Sequence, residues 1–230
     1  MGLGLLLLLL AQPADQLVDT ARSARGEEVP YVLNAVNAQP RYVLILFPGG
    51  SGNMNPRMQG DRVMYGFSGN FLIRSRKLMV DEEFATVSTN STSNTEHIQA
   101  VIDDINRRFA GARIYLMGTS AGTSSTLALA GYLSDKIAGE IHTASFTEVR
   151  RLDPRKYKNR HLIVHHKDDG CRYTPFFAGE ESHRRYGTDF IVMEGGISTG
   201  DACEAFAHHG FNGIERETVD TIKAWIRKGG

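Results

Sequence analysis

The sequence has few of the features that define charged, membrane-spanning or disulfide-rich proteins. It contains two cysteines, and 26 basic side chains balance 26 acidic ones. No basic stretch alternates with aromatic residues, which disfavours a nucleic-acid backbone or an anionic membrane surface as the partner. The N-terminal run MGLGLLLLLL is apolar over about ten residues, too few to span a bilayer as a helix. The chain of 230 residues contains 24 glycines, and its composition is typical of one folded α/β domain with many tight turns.

The N-terminal apolar run resembles the core of a secretory signal peptide. Basic residues do not precede it, and Gln12-Pro13-Ala14 is not a clean small-x-small cleavage site, so a trimmed or altered end is the alternative. We expect residues 1–24 to be a signal-like or disordered segment and residues 25–230 to be a single catalytic domain. This favours a periplasmic or secreted protein, or a cytoplasmic one if the run is not an export signal.

From residue 25 onward, strand-like and helix-like segments alternate. Apolar and β-branched runs predict strands, and 3.6-residue spacing predicts helices. We predict strands at 29–36 and 41–47 (an opening hairpin), 85–89, 113–117, 139–146, 160–166 and 189–194, and helices within 74–84, 95–109, 124–133, 175–186 and 213–228. The fold class is therefore α/β: a mostly parallel twisted sheet with an antiparallel N-terminal hairpin and helices on both faces. Loops that follow the strands of such a sheet hold its ligands.

The stretch GTSAG, residues 118–122, places Ser120 between a predicted strand and a predicted helix. In a G-x-S-x-G elbow the serine adopts a strained conformation that exposes its hydroxyl, and the glycines permit close backbone approach. The N–H groups at the start of the helix would face negative charge developing there. A glycine- and serine-rich turn without a catalytic role fits the same letters, so the other catalytic groups must decide.

A glycine-rich loop, FPGGSGN at residues 47–53, directly follows the predicted strand YVLIL. We expect Gly50 or Ser51 to supply one backbone N–H of an oxyanion hole and Ala121 the other. An ordinary glycine turn is the alternative. A phosphate-binding loop is disfavoured because no Gly-Lys-Ser/Thr follows.

Two later loops offer an acid and a base. HHKDDG follows the strand HLIV, and we favour Asp169 over Asp168 as the acid, with a solvated turn as the alternative. HHGF precedes the last predicted helix, and His209, with His208 as its neighbour, is the candidate base. The order Ser, Asp, His along the chain, each after a strand, is that of an α/β serine hydrolase triad.

Together, the order of elements and the motifs GTSAG, HHKDDG and HHGF resemble an α/β-hydrolase, of the small lidless carboxylesterase or dienelactone-hydrolase-like type, from about residue 28 onward. The resemblance implies a serine hydrolase whose site residues are Ser120 (nucleophile), Asp169 (acid), His209 (base) and the amides of Ala121 and the Gly50–Ser51 region (oxyanion hole).

The chain departs from the family pattern at the histidine and at the lid. About fifteen residues, GGISTGDACEAFAHH, separate the last predicted strand from His209, more than the short link common in the family, which leaves His208 as the alternative base. The stretch between residues 146 and 160 is too short for a cap domain.

The two cysteines lie near the proposed acid and base. Cys171 follows Asp169 by two positions and Cys203 precedes His209 by six. In an exported protein such a pair favours a disulfide, which would tie the acid loop to the histidine loop, whereas in the cytosol both would be small buried apolar residues.

A carboxylesterase acting on a small ester is the expected function. The same triad would also serve a thioesterase, a peptidase or an esterase of polyesters or plant cell walls, and a non-catalytic binding protein with this fold is a further alternative. We expect no cofactor, nucleic-acid partner or stable membrane insertion, and no metal, because neighbouring residues such as His165 and His166 point to opposite faces of a strand. Apolar side chains that could line the acyl site, or simply pack beneath a long loop, are Met54, Met58, Met64, Tyr65 and Phe67.

Overall fold

The computed structural model describes residues 16–229 and is built around an eight-stranded mixed sheet. In chain order the strands are β1 (Leu17–Arg22), β2 (Glu28–Asn34), β3 (Tyr42–Phe47), β4 (Arg57–Gln59), β5 (Arg62–Met64), β6 (Phe84–Thr89), β7 (Arg113–Ser120), β8 (Gly139–Ser145), β9 (Arg160–His166) and β10 (Asp189–Met193). The large sheet has the order β1-β2-β6-β3-β7-β8-β9-β10, and β4 pairs with β5 as a separate hairpin. Strand β2 runs antiparallel to both β1 and β6, and all other pairs in the large sheet are parallel. The predicted fold class is confirmed.

Helices cover both faces of the sheet. They are α1 (Phe71–Met79), α2 (Thr95–Arg108), α3 (Gly122–Leu133), α4 (Phe176–Tyr186) and α5 (Glu215–Lys228). Every residue of β3 is buried, and its side chains alternate between two cores. Val43 and Ile45 pack in the core that contains residues of α2 and α3, whereas Leu44 and Leu46 pack with residues of α1 and α5. This arrangement explains why the central strands read as continuous apolar runs.

Local capping sets several helix ends. Asn70 Oδ1 accepts a hydrogen bond from the backbone N–H of Leu72, so α1 begins three residues before the predicted segment. Asn94 caps α2 in the same way through the N–H of Glu96. Gly187, with φ of 75°, ends α4 in the left-handed conformation that glycine adopts without steric cost.

The predicted pairing of the opening hairpin is wrong. Strands β2 and β3 do not pair with each other, because β6 lies between them. The antiparallel hairpin is instead β1–β2, and β1 lies within the segment 1–24 that the sequence set apart. Every residue of β3 is buried, and such a strand is best placed in the middle of the sheet, between two parallel neighbours. A hairpin at the edge of the sheet would not provide that position.

Two other features concern the ends and surface of the chain. The apolar run predicted as an export signal lies outside the described residues. No helix within residues 16–229 combines the length and the apolar character needed to cross a bilayer.

Between β8 and β9 the chain forms only two short 3₁₀ turns, at Thr147–Arg151 and Pro154–Lys156, in place of a cap domain.

Candidate active site

Ser120 lies at a strained turn between β7 and α3. Its φ is 51°, in the left-handed region that residues other than glycine seldom adopt. A Cβ on Gly118 would come within 2.7 Å of the carbonyl oxygen of Gly122, and a Cβ on Gly122 within 2.5 Å of that of Phe47. Both flanking positions therefore require glycine, which is the physical reason for the GTSAG pattern.

Helix α3 starts directly behind the serine. The hydroxyl of Thr123, in the first turn of α3, donates a hydrogen bond of 2.6 Å to the carbonyl oxygen of Ser120 and so stabilises the turn. Ala121 occupies the N-cap position without a side-chain cap, so the first amides of the helix face the turn. The positive end of the helix dipole is thus next to the Ser120 hydroxyl.

The Ser120 and His209 side chains line the same cavity, of about 420 Å³. Among the described residues, no hydrogen bond joins the Ser120 hydroxyl to the His209 ring, although each contributes to the cavity wall. The rest of the wall combines glycines with apolar and polar side chains: Gly49, Gly50, Phe67, Gly69, Asn70, Phe71, Thr119, Cys203, Glu204, Ala205, Phe206 and Gly210.

Asp169 is the carboxylate in contact with His209. Its Oδ2 lies 3.0 Å from His209 Nδ1 and also receives a 3.0 Å hydrogen bond from the Thr174 hydroxyl. His165 Nε2 is 3.2 Å from the same oxygen, and the Cys171 amide donates to Oδ1 at 2.9 Å. Burial alone would raise the pKa of Asp169, but the hydrogen bonds from His165 and His209 hold it well below its usual value. The carboxylate is therefore ionised at neutral pH.

The two adjacent histidines have different environments. His209 is buried, and its Nδ1 contacts Asp169 and the Thr174 hydroxyl. His208 instead stacks on His166, with ring centroids 4.3 Å apart, and its Nδ1 is 3.4 Å from the backbone oxygen of Asp168. Of the two candidate bases, only His209 is placed between a carboxylate and the cavity that contains Ser120.

The glycine-rich loop after β3 borders the serine. Gly49 and Gly50 line the cavity, and a Cβ on Gly49 would lie 2.9 Å from Ser120 Cβ. Outside the regular elements, the described hydrogen bonds include none donated by the amides of Gly50 and Ala121. Ser51 is exposed and outside the cavity wall, where its hydroxyl accepts from the Asn53 amide at 3.4 Å. Gly50 and Ala121 are thus the better placed of the predicted oxyanion donors.

Cys171 and Cys203 form a disulfide, as predicted, with Cα atoms 4.5 Å apart. The bridge joins the loop that carries Asp169 to the segment that leads to His209. Cys203 also lines the cavity next to Glu204 and Ala205, so the bridge supports one wall directly.

The segment between β3 and α1 contributes less to the cavity than the sequence allowed. Phe67 lines the wall, whereas Met54 is buried in a small core with Val32 and Ile73. Met58 lies in the β4–β5 hairpin and is 49% exposed. Of the five apolar candidates in this segment, Phe67 is the one that borders the site.

Several site residues were not identified from the sequence. Thr174 and His165 contact Asp169, and Phe206 forms part of the wall. Arg74 binds the histidine loop: its guanidinium donates to the Gly210 carbonyl at 2.6 Å and to Glu215 at 2.9 Å, and it lies 5.3 Å from the Phe206 ring centroid. The HHKDDG loop was a usable signal for His165, whereas nothing local to Arg74 indicates its distant partners.

Two clusters have the side-chain types of metal sites. In the first, Glu140, His142 and His161 are buried, and their ligand atoms lie within 4.8 Å of one another. His142 Nε2 and His161 Nδ1 are 3.3 Å apart, while the parallel rings have centroids 5.7 Å apart, so the two nitrogens point at each other edge to edge. That is the geometry of a hydrogen bond between neutral rings rather than of two ligands converging on one ion.

The second cluster comprises His166, Asp168 and His208. Both ring nitrogens of His166 are already used: Nε2 lies 2.8 Å from the Gly195 carbonyl oxygen, and Nδ1 accepts from the Asp168 amide at 3.0 Å. His166 therefore has no lone pair to offer a metal.

The structural comparisons identify the fold. No protein-family model matches the chain, and no curated sequence does either. The chain is similar to the esterase domain of a Rhodothermus marinus protein, with a TM-score of 0.62 and 14% identity over 94% of this chain and 100% of that one. A lidless α/β serine hydrolase from Xanthomonas campestris matches with a TM-score of 0.61 and 13% identity, over 91% and 96% of the two chains. A Coxiella burnetii α/β serine hydrolase homologue matches with a TM-score of 0.58 and 15% identity, over 92% of this chain and 96% of that one. The described residues thus have the α/β-hydrolase fold, with two short 3₁₀ turns between β8 and β9 and no cap domain inserted there.

Proposed function

We propose that this protein is a serine carboxylesterase in which Ser120 is the nucleophile, His209 the general base and Asp169 the acid that orients it. The observation that carries the proposal is the placement of a strained, glycine-flanked serine and a carboxylate-bound histidine on the walls of one cavity. The lidless esterase and serine hydrolase folds to which the chain is similar support the same class of reaction.

The contact with Asp169 fixes the tautomer of His209. A carboxylate oxygen only accepts, so Nδ1, 3.0 Å away, carries the proton. Nε2 then has a free lone pair for the Ser120 proton. Because the imidazolium formed on proton transfer lies next to an ionised carboxylate, the charge that develops in the first step is compensated. In the reacting complex the serine hydroxyl donates to this Nε2.

The reaction follows from these positions. Ser120 Oγ attacks the ester carbonyl carbon while its proton passes to His209, and a tetrahedral oxyanion forms opposite the amides of Gly50 and Ala121. His209 returns the proton to the leaving alcohol, which departs and leaves an acyl group on the serine. Water, deprotonated by His209, then attacks the acyl-enzyme, and the acid and the free serine are released.

The cavity favours small substrates that carry no negative charge. Phe67 and Phe206 provide apolar surface, and Glu204 is the acidic residue among the described residues of the wall. None of the described wall residues is a lysine or arginine, so a substrate carboxylate would have no permanently charged basic side chain there to pair with. We therefore place neutral esters of short or aromatic acids first among candidate substrates.

The disulfide supports an exported protein. Disulfides persist in oxidising compartments such as the periplasm or the extracellular space and are rare in the cytosol. A bridge between Cys171 and Cys203 is thus consistent with the export signal expected from the N-terminal sequence.

Replacement of the nucleophile tests the proposal. Ser120→Ala should lower kcat on a p-nitrophenyl ester by about 10⁴-fold or more and abolish labelling by a fluorophosphonate probe. Ser124→Ala is the matched control, because Ser124 is exposed on α3 and does not line the cavity. Esterase activity that survives in Ser120→Ala, at the level of the control, would show that another group is the nucleophile.

A further inference from the structure

A second histidine, which does not line the cavity, contacts the proposed acid. His165 lies on β9 and is fully buried. Its Nε2 is 3.2 Å from Asp169 Oδ2 and 2.9 Å from the carbonyl oxygen of Thr174. Both partners only accept hydrogen bonds, so Nε2 must carry a proton and donate it between them.

The other ring nitrogen has no partner. His165 Nδ1 is buried without a hydrogen bond, and the imidazole packs perpendicular to the Phe176 ring with centroids 5.9 Å apart. A proton on Nδ1 would have no acceptor among the described residues, which is costly for a buried N–H group. The structure therefore specifies one neutral tautomer, with its single proton directed at the Asp169 side of the ring.

We propose that His165 is a positioning residue of the triad, which holds the Asp169 carboxylate and withdraws charge from the same oxygen that binds His209. This inference rests on the proposed function of Ser120, Asp169 and His209. It assigns to His165 a role separate from that of Thr174, whose hydroxyl contacts both Asp169 Oδ2 and His209 Nδ1 at 3.0 Å.

The shared oxygen predicts how His165 acts on catalysis. Oδ2 accepts from His165, Thr174 and His209, so each donor weakens the negative charge available to the other two. Removal of the His165 donor leaves more charge facing His209 and stabilises its imidazolium form. The acid limb of the kcat/KM profile, which reports protonation of the base, should then move to higher pH.

Other ionisable groups lie near these two rings and could also shift that limb. In the described structure they include Asp169, which both rings contact, Glu204 on the cavity wall, Arg74 at the Gly210 carbonyl, and the cluster of His166, Asp168 and His208. The variants below leave all of these in place.

Two substitutions at His165 separate donation from packing. His165→Leu removes the donor, whereas His165→Gln keeps an N–H at the same number of bonds from the backbone as Nε2. We expect His165→Leu to move the acid limb upward by about one pH unit, so that kcat/KM falls about tenfold at pH values below the limb. His165→Gln should retain the wild-type limb. Ile163→Val, a truncation on the same face of β9 within a core cluster that includes Ala178, controls for lost packing and should leave the limb unchanged.

Two results would overturn the role of His165. One is an unchanged acid limb in His165→Leu, and the other is a shift in His165→Gln as large as in His165→Leu. Neither result bears on the nucleophile, which the Ser120→Ala assay tests separately. Loss of activity in Ser120→Ala together with an unmoved limb in His165→Leu would retain the serine hydrolase and reject the positioning role.

Measurement on the wild-type protein does not depend on whether a variant folds. Nitrogen-15 spectra that distinguish the ring nitrogens should show, for the neutral His165 ring, the proton on Nε2 and none on Nδ1. A neutral ring with its proton on Nδ1 would contradict the hydrogen bond to Asp169 and with it the proposal.

Discussion

Opening the Cys171–Cys203 disulfide should both destabilise the protein and slow its reaction. The two cysteines are 32 positions apart, and the chain-entropy relation gives about 4 kcal/mol for a closed loop of this size. For a domain of this length the corresponding fall in Tm is roughly 10 °C. Turnover should fall as well, since the Cys171 amide holds Asp169 Oδ1 and Cys203 lines the cavity.

The assay compares the oxidised protein, the protein treated with a reductant, and the double variant Cys171→Ala/Cys203→Ala. Calorimetry gives Tm, hydrolysis of a p-nitrophenyl ester gives kcat/KM, and a thiol titration verifies that the bond has been reduced. The double variant should resemble the reduced protein and should not respond to reductant. Two titrated thiols with Tm within about 2 °C of the oxidised protein and undiminished turnover would refute the reasoning.

Three further predictions follow from single positions. Gly122→Ala should lower Tm strongly and abolish activity, because its Cβ would lie 2.5 Å from the Phe47 carbonyl oxygen of β3. Gly131→Ala is the control, since Gly131 lies in open space on the same helix, and it should leave Tm equal or slightly raised. Equal effects of the two substitutions in a melting assay would contradict the steric argument. Asp169→Asn should lower kcat by about 10⁴-fold and Asp168→Asn only slightly, and steady-state kinetics with similar losses in both would reject Asp169 as the acid. Burial raises the pKa of Glu140 to about 8, so the folded state retains a proton that the unfolded chain loses above its usual value of 4.5. Stability should therefore decline as pH rises from about 5 to 8, and Glu140→Gln should remove this decline in urea melts; a parallel decline in the variant would assign it to other groups.

Much of the sheet could be predicted because its central strands are apolar and bounded by turns. Strand β9 has the predicted bounds, residues 160–166, and the bounds predicted for β6 and β8 differ by one residue. The predicted β2–β3 hairpin was wrong because strand pairing depends on contacts between segments that are distant in the chain. Two apolar runs joined by a short turn have the sequence pattern of a hairpin even when a third strand lies between them in the sheet. Strand β1 was missed because its half-buried residues follow an apolar run that resembles a signal peptide.

The parts of the candidate site that depend on short local motifs could be predicted from the sequence. Ser120 needs glycines on both sides for steric reasons, so the pentapeptide GTSAG is enough to predict its turn. His165, Thr174 and Arg74 contribute through hydrogen bonds that the fold creates, and each of these side chains is common in ordinary strands, loops and helices. Their contribution depends on the relative position of β9, α1 and the histidine loop, which no short pattern specifies.

The segment between β10 and His209 is fastened close to its functional end. The disulfide holds Cys203, and Arg74 holds Gly210, so the imidazole is fixed from both directions along the backbone. Residues 194–200, upstream of both anchors, are exposed. Exposure does not leave this stretch independent of the base, because the amides of Ile197 and Thr199 donate to the carbonyl oxygens of Asn212 and Phe206, each at 2.9 Å. A search for altered selectivity should therefore vary its exposed side chains at constant length and keep Gly196, where a Cβ would lie 2.4 Å from the Asn212 carbonyl oxygen.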